Sequence, residues 1–376
     1  VLLIWLLLDR APQRWWVPVL TALGLAWVLI ADQLVLIVGI VPLAVVCTLR
    51  VLEAAVRDRS LPRAFATRRY DLSLIVAAAA AAGLAWVAER ALRALGGYIQ
   101  NPIRFTFASR YTWATLHVLW AVPRIYGADY RGLAGGPYYT ALLHMVSLAL
   151  VALALLLVAW RFFAGAALVD QVLAVAIVLN IALFVTTGAG SQGPHEIAVV
   201  APFGAALAAR MLAGPRAAGA RAPGVLARRV RAVAYGAGLV VLAGYLGGLA
   251  HDVVQPASPP AFARVASWLQ AHHLRYGLGG YWESGIVTVQ ADGQVKVRAL
   301  LKATLRPDLW LAKPAWYDPT AQQANFVVLS STPGFKNNWE PRTQISKVFG
   351  RPAHVYNFGP YTVMVWDRNI LSDVPR

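Results

Sequence analysis

The residues in this chain best suited to chemistry are few, and they fall between apolar runs. His195 and Glu196 follow the turn Gly188-Ala-Gly-Ser-Gln-Gly-Pro194 and open an apolar stretch. An acid at a helix N-terminus sits favourably in the helix dipole, so the pair reads either as a cap beside an interfacial histidine or as a functional acid and base. Asp32 stands between two apolar runs, where an acid must face water or a cavity, and a hydrated turn is the plainer reading. Arg104, Arg110, Arg124 and Arg131 share one long segment with Tyr111, Asp129 and Tyr130. Guanidinium groups meet phosphate oxygens in bidentate geometry, so these arginines suit a phosphate-headed lipid. Plain attraction to anionic headgroups accounts for the same residues.

Other chemistries find no support. No metal motif, phosphate-cradling loop or nucleophile elbow stands in the sequence. Tyr276-Gly-Leu-Gly-Gly-Tyr281 is glycine-rich, but a phosphate loop joins a strand to a helix and carries a Lys or a later acid, so a tight structural turn is expected. Trp282 and Glu283 read as domain packing. Cys47 is the only cysteine and lies in an apolar run, which excludes a disulfide framework and a cysteine metal site.

The elements that must position these residues are hydrophobic. Over 376 residues the apolar fraction is 59% and the mean hydropathy +0.56, beyond what one soluble core can hide. A membrane helix takes about 20 mostly apolar residues, fewer when tilted. By that measure the spans are Val1 to Leu8, Trp16 to Ile30, Leu34 to Leu49, Leu72 to Val87, Tyr138 to Trp160, Leu168 to Thr187, Ile197 to Leu212 and Val233 to Leu249, with Pro18, Pro42 and Pro202 as candidate kinks. The first of these reads as the tail of a span cut in half, with upstream sequence expected.

The net charge of +17 divides by region. Up to Asp252 there are 21 Arg, no Lys and 10 acids; beyond it there are 8 Arg and 5 Lys against 7 acids. Most of the excess therefore lies in short loops between spans, where it marks the cytoplasmic side and argues against nucleic acid as a partner. Those loops hold Arg10 and Arg14, then Arg50 to Arg69, then Arg161, then Arg216 to Arg231, and they alternate strictly with the rest. The opposite side receives Asp32, the long loop from Gly96 to Pro137, the Gly188–Pro194 turn and everything after Ala250. Within the long loop, Trp113, Leu116, His117, Trp120 and Ile125 follow helical spacing, which suits a helix lying in the membrane interface.

After Gln255-Pro-Ala-Ser-Pro-Pro260 lysines appear and the apolar runs shorten, marking a domain boundary. The fold class is thus a multi-span α-helical transmembrane bundle, residues 1–254, followed by a small soluble α/β domain, residues 255–376. In the latter we expect a helix from Ala261 to His273 and a hairpin of Ile286–Gln290 and Val295–Arg298 around Ala291-Asp-Gly-Gln294. A strand from Asn325 to Leu329, a helix near Thr343 to Phe349 and a closing strand pair, Ala353–Phe358 and Tyr361–Trp366, complete it.

Ile30-Ala-Asp-Gln-Leu34, Ile125-Tyr-Gly-Ala-Asp129, His195-Glu-Ile-Ala-Val-Val-Ala-Pro-Phe-Gly-Ala205 with Arg210, Tyr276-Gly-Leu-Gly-Gly-Tyr-Trp282 and Tyr361-Thr-Val-Met-Val-Trp-Asp-Arg-Asn369, in that order, resemble the membrane glycosyltransferases of the GT-C superfamily, in particular bacterial relatives of glycosyltransferase family 39. The resemblance implies a multi-pass protein of the bacterial plasma membrane with an extracytoplasmic C-terminal domain. It implies a polyprenyl-phosphate-linked sugar donor and transfer to an acceptor hydroxyl on the outer face. It names no certain cofactor and leaves room for a divalent metal. The catalytic acid of the superfamily lies in the first external loop, which would precede Val1. On this resemblance Arg104, Arg110 and His195 would approach the carrier phosphate, with Arg124 beside them and Glu196 and Asp32 shaping the cavity. The rival expectation, from another class, is a non-catalytic transporter or scaffold whose external domain binds a partner, with Asp170 and Asn180 as its mid-membrane polar residues.

Overall fold

A computed structural model of the chain describes all residues except 12, 98–106, 108–110, 130–137, 188–193, 214–224, 257–259, 311, 331–341 and 376. The chain divides into two compact units, one of Val1–Ala88 with Ile103–Gln255, the other of Glu89–Pro102 with Pro256–Arg376.

The described residues of the first unit are mainly helical, with one isolated bridge between Phe107 and Thr187. Its helices are α1 (Leu2–Arg10), α2 (Val17–Ala31), α3 (Val41–Asp58), α4 (Leu61–Thr67), α5 (Arg69–Ala94), α6 (Tyr111–Ile125), α7 (Tyr138–Arg161), α8 (Leu168–Thr186), α9 (Val200–Ala213) and α10 (Val225–Val254). Among the described residues, five stretches are long and apolar enough to cross a membrane: Leu36–Asp58, Arg69–Ala94, Thr140–Arg161, Leu168–Thr186 and Tyr235–Val254. The shorter α2 is equally apolar. α9 begins three residues later than expected, after a 3-10 turn at Pro194–Ile197 and two turn residues.

Of the candidate kinks, Pro18 and Pro202 fall in the first turns of α2 and α9, where the missing N–H has no partner to lose, while Pro42 lies inside the helical stretch Leu36–Asp58. Ahead of Pro42 the chain makes a wide turn at Leu36–Ile40, in which the Val41 N–H reaches back to the Leu36 carbonyl. Gly39 lies inside that turn; a Cβ there would stand 3.2 Å from the Leu25 side chain.

At the arginine-rich end the cations are tied to acids. Arg210 on α9 lies 2.7 Å from Asp9 and 2.5 Å from Asp170 at the start of α8. Arg50 on α3 reaches Asp71 on α5 at 3.3 Å and donates to Gln171 at 2.9 Å, and Arg68 also reaches Asp71 and Glu53. Buried carboxylates such as Asp71 and Asp170 are stable in an apolar bundle only when paired in this way.

The second unit contains α11 (Ala263–Ala271), β1 (Tyr276–Gly279), α12 (Tyr281–Gln290), β2 (Lys296–Ala299), β3 (Phe326–Ser330), α13 (Arg342–Phe349), β4 (His354–Phe358) and β5 (Tyr361–Val365). The strands form one mixed sheet in the order β2-β1-β3-β5-β4, with β1 parallel to β2 and β3, and β5 antiparallel to β3 and β4. Period-two alternation splits β3 between two cores. Phe326 and Val328 pack with Val265, Leu269 and Val287 of α11 and α12, while Val327 and Leu329 pack with Ile345 and Phe349 of α13. β3 is therefore buried on both faces, as its unbroken apolar run requires.

The expected hairpin at Ile286–Arg298 is not formed. Ile286-Val-Thr-Val-Gln290 is the second half of α12, because Glu283, Ser284 and Val287 share a buried helical face and that packing outweighs the β preference of the branched residues. The Asp292-Gly293 signal closes the helix instead of turning a hairpin. Asp292 has φ 48°, its N–H bonds the Val289 carbonyl, and the Gly293 N–H bonds the Thr288 carbonyl, which together make a Schellman cap. The chain then enters β2 parallel to β1, so that β1-α12-β2 is a crossover unit. Tyr276–Gly279 is correspondingly a strand and not a tight turn, with Gly280 capping α12. Gly277 carries no Cβ because the Phe326 ring occupies that space.

Candidate functional site

Opposite the ion-paired end of the first unit lies a second polar cluster, assembled from α6, α7, α9 and α10. Its frame is a chain of hydrogen bonds to backbone. The Tyr126 hydroxyl donates to the Val200 carbonyl at 2.8 Å, and the Tyr245 hydroxyl donates to the Tyr126 carbonyl at 2.9 Å. The Tyr245 ring stacks on His144 at 4.2 Å, and His144 Nδ1 lies 2.9 Å from the Gly127 carbonyl. A carbonyl accepts only, so Nδ1 carries the proton and Nε2 is left as the basic nitrogen. That Nε2 is buried and has no hydrogen-bond partner among the described residues.

Glycines make this packing feasible. Gly127 has φ 74° and a Cβ there would stand 2.5 Å from His144 Nδ1; a Cβ on Gly204 would overlap the Tyr126 hydroxyl. On α10, a Cβ on Gly244 would press on Leu143 and His144, and Gly248 lies one turn further on, the small-residue spacing that lets membrane helices approach closely.

Next to this frame, the Arg124 guanidinium lies 5.0 Å above the Trp120 ring and 3.9 Å from Asp129. Asp129 is 7% exposed, whereas the Arg124 side chain keeps 38% of its surface. The cation thus sits over an indole and beside a carboxylate with part of its surface exposed, a setting that suits an anionic oxygen. Two turns earlier on α6, His117 stacks on Trp113 at 4.8 Å and faces Phe184 of α8 at 6.0 Å. α6 packs against α8, α9 and the turn Pro194–Ile197. In that turn His195 Nε2 and Glu196 Oε1 are 3.3 Å apart, with the histidine largely exposed.

The residues singled out from sequence have different fates. Arg124, His195 and Glu196 come to one end of the bundle, although Glu196 precedes α9 and does not cap it. Asp32 is exposed and accepts the Leu34 N–H at 2.9 Å, the geometry of a hydrated turn. Arg104, Arg110, Tyr130 and Arg131 lie outside the described residues. Asp170 is consumed by Arg210, while Asn180 keeps a buried side-chain oxygen with no hydrogen bond among the described residues. Sequence reasoning missed Tyr126, His144 and Tyr245. The signals available were a histidine within an apolar span and the Gly244, Gly248 spacing.

Among the described residues, no group of three or more His, Cys, Asp or Glu side chains is placed to hold a metal ion. In the second unit a cleft of about 430 Å³ opens at the amino ends of β1 and β3. Its Asn369 is spent on backbone, accepting from Ala324 and Leu371 and donating to Gln322, and its Arg368 pairs with Asp373. Comparison with protein-family models, with curated proteins and with solved structures gives no match.

Proposed function

We propose that this chain is a membrane glycosyltransferase that moves a sugar from a polyprenyl-phosphate carrier to an acceptor hydroxyl at the outer face of the membrane. The observation that carries the reading is Arg124, which lies over the Trp120 ring with Asp129 3.9 Å away and 38% of its side chain exposed, at the end of the bundle away from the buried pairs of Arg50 and Arg210. A departing phosphate needs such a preorganised cation, and a guanidinium offers it two parallel hydrogen bonds. His195 and Glu196 supply a second polar pair at the same end. The resemblance of the order of parts to the GT-C superfamily supplies the reaction class. The transporter reading loses Asp170 to Arg210 and retains Asn180.

The test is sugar transfer by the full-length protein in membranes, from a radiolabelled polyprenyl-phosphate sugar, together with binding of the polyprenyl phosphate itself. Arg124→Ala is expected to lower transfer by at least about tenfold and to weaken carrier binding, with Arg124→Lys intermediate. Transfer and carrier binding both unchanged in Arg124→Ala would refute the phosphate role. Sidedness is checked in intact cells with an impermeant thiol reagent, which should label a cysteine placed at Ser372 and spare one at Arg63.

A further inference from the structure

The junction between β1 and α12 lies where the sheet changes direction. From β1 the chain crosses through α12 to β2 on one side, and after β2 it returns to β3 on the other. The carboxyl ends of parallel strands at such a switch point form a crevice in which open α/β sheets hold ligands. The side chains here are aromatic. Tyr281 and Trp310 are stacked at 4.9 Å with planes 15° apart, and Trp282 meets the Tyr281 ring edge-on at 5.2 Å. Despite these contacts Trp282 is 51% exposed and Trp310 44% exposed.

The platform is built rigidly. The Trp310 N–H donates to Asp308 Oδ1 at 3.0 Å, and the Asp308 N–H donates to the Ala299 carbonyl at the end of β2. Tyr317 clamps the same place, its hydroxyl donating to the Ala299 carbonyl at 2.6 Å. These bonds fix the Trp310 backbone and the stack on Tyr281 holds its ring, so little freedom is lost there when a ligand arrives.

Charge narrows the ligand class. Glu283, in the first turn of α12, is buried and packs against Gly279, so a carboxylate already fills the position where a helix N-terminus would take a phosphate. The exposed Lys302, just beyond β2, acts electrostatically on Glu283. An anion would meet Glu283, and a purely apolar ligand would strip water from the Lys302 ammonium without replacing its hydrogen bonds. A neutral polyhydroxyl ring meets neither obstacle. Such a ring offers a C–H face to an indole and hydroxyl oxygens to an ammonium.

We propose that this edge of the second unit is a saccharide-binding site, with Trp310 and Trp282 as the stacking surfaces and Lys302 as the hydroxyl donor. The site stands whether or not the first unit transfers sugar. The experiment is saturation-transfer NMR on the full-length protein in nanodiscs, with neutral hexaoses of glucose, mannose, galactose and N-acetylglucosamine as probes. Saturation is expected to reach the ring protons of at least one hexaose. Trp310→Ala and Trp282→Ala are each expected to weaken binding by about fivefold, while Trp310→Phe keeps an aromatic face and retains it, which separates lost stacking from misfolding. Absence of transfer to all four hexaoses overturns the proposal, as does transfer unaltered in the double Trp282→Ala/Trp310→Ala variant. Quenching of the fluorescence of these two tryptophans by brominated lipid would assign the face to the bilayer and overturn it equally.

Discussion

The Tyr126 hydroxyl and the Val200 carbonyl, 74 positions apart in sequence, are joined by a 2.8 Å hydrogen bond that ties the end of α6 to the first residue of α9. Gly204 makes room for it. Tyr126→Phe removes one hydrogen bond and is expected to cost about 1 kcal/mol. Gly204→Ala drives a methyl into the hydroxyl and against Val151, and is expected to cost more, about 1–3 kcal/mol. Combining the two should recover part of the loss, since the ring without its hydroxyl leaves space for the methyl. Thermal unfolding in detergent reads all three.

Arg210 serves two carboxylates at once, Asp9 and the buried Asp170. Arg210→Ala strands the buried Asp170 and takes one partner from Asp9, and is expected to destabilise the first unit by about 3–5 kcal/mol. Arg210→Lys should restore less than half of that, because one ammonium cannot match the two-sided fork of a guanidinium. The same unfolding measurement decides it.

Burial pushes the Glu283 carboxyl up, opposed by its own backbone N–H and by Lys302. A carboxyl whose pKa is higher folded than unfolded binds more protons in the folded state, so stability falls as pH rises from the unfolded value, about 4.3, through the folded one. Above that window the penalty is fully present. Glu283→Gln is therefore expected to strengthen hydrogen-exchange protection of Tyr281–Ala299 at neutral pH and to change it little in acid. Equal protection of the two proteins at neutral pH would show that the buried charge costs nothing.

Asp292 holds the left-handed position of the Schellman cap, which glycine fills with less strain. Asp292→Gly should leave the stability of the second unit unchanged or raise it by up to about 1 kcal/mol. A hairpin at this point would instead keep its turn under Asp292→Gly and lose the amide protection pattern of a helix over Tyr281–Gln290. Hydrogen exchange distinguishes the two.

The long apolar helices were legible in sequence because a bilayer imposes a length and a composition on a crossing helix; the stretches from Tyr138 and Leu168 match α7 and α8 closely, whereas α5 runs past the expected Leu72 to Val87 at both ends. β3 and the β4–β5 pair were equally plain, as an apolar run and as two strands about Gly359-Pro360. Ile286–Gln290 misled because branched residues favour strands locally, and only the packing of Val287 into the core beneath β3 reveals a helix. His144 was hidden for a different reason. Its neighbours come from the end of α6 and from α10, more than 100 residues apart, and no spacing within one helix announces them. Arg124 was singled out because its type suits a phosphate, whereas its place beside Trp120 and Asp129 depends on the end of α6 turning back, which no spacing announces.

The wide turn at Leu36–Ile40 bears on the length of the span it begins. It absorbs one residue beyond what an ordinary helix would use, and in doing so keeps Val35 before it and Leu43 and Cys47 after it on the buried side. Deleting a single residue there shortens the helix to regular pitch without rotating the residues of α3. The same deletion between Cys47 and Arg50 turns the rest of α3 by about 100° and carries the Arg50 guanidinium away from Asp71. The chain thus has one place in this stretch where its length is adjustable, and it is set at the opposite end from the Arg50–Asp71 pair.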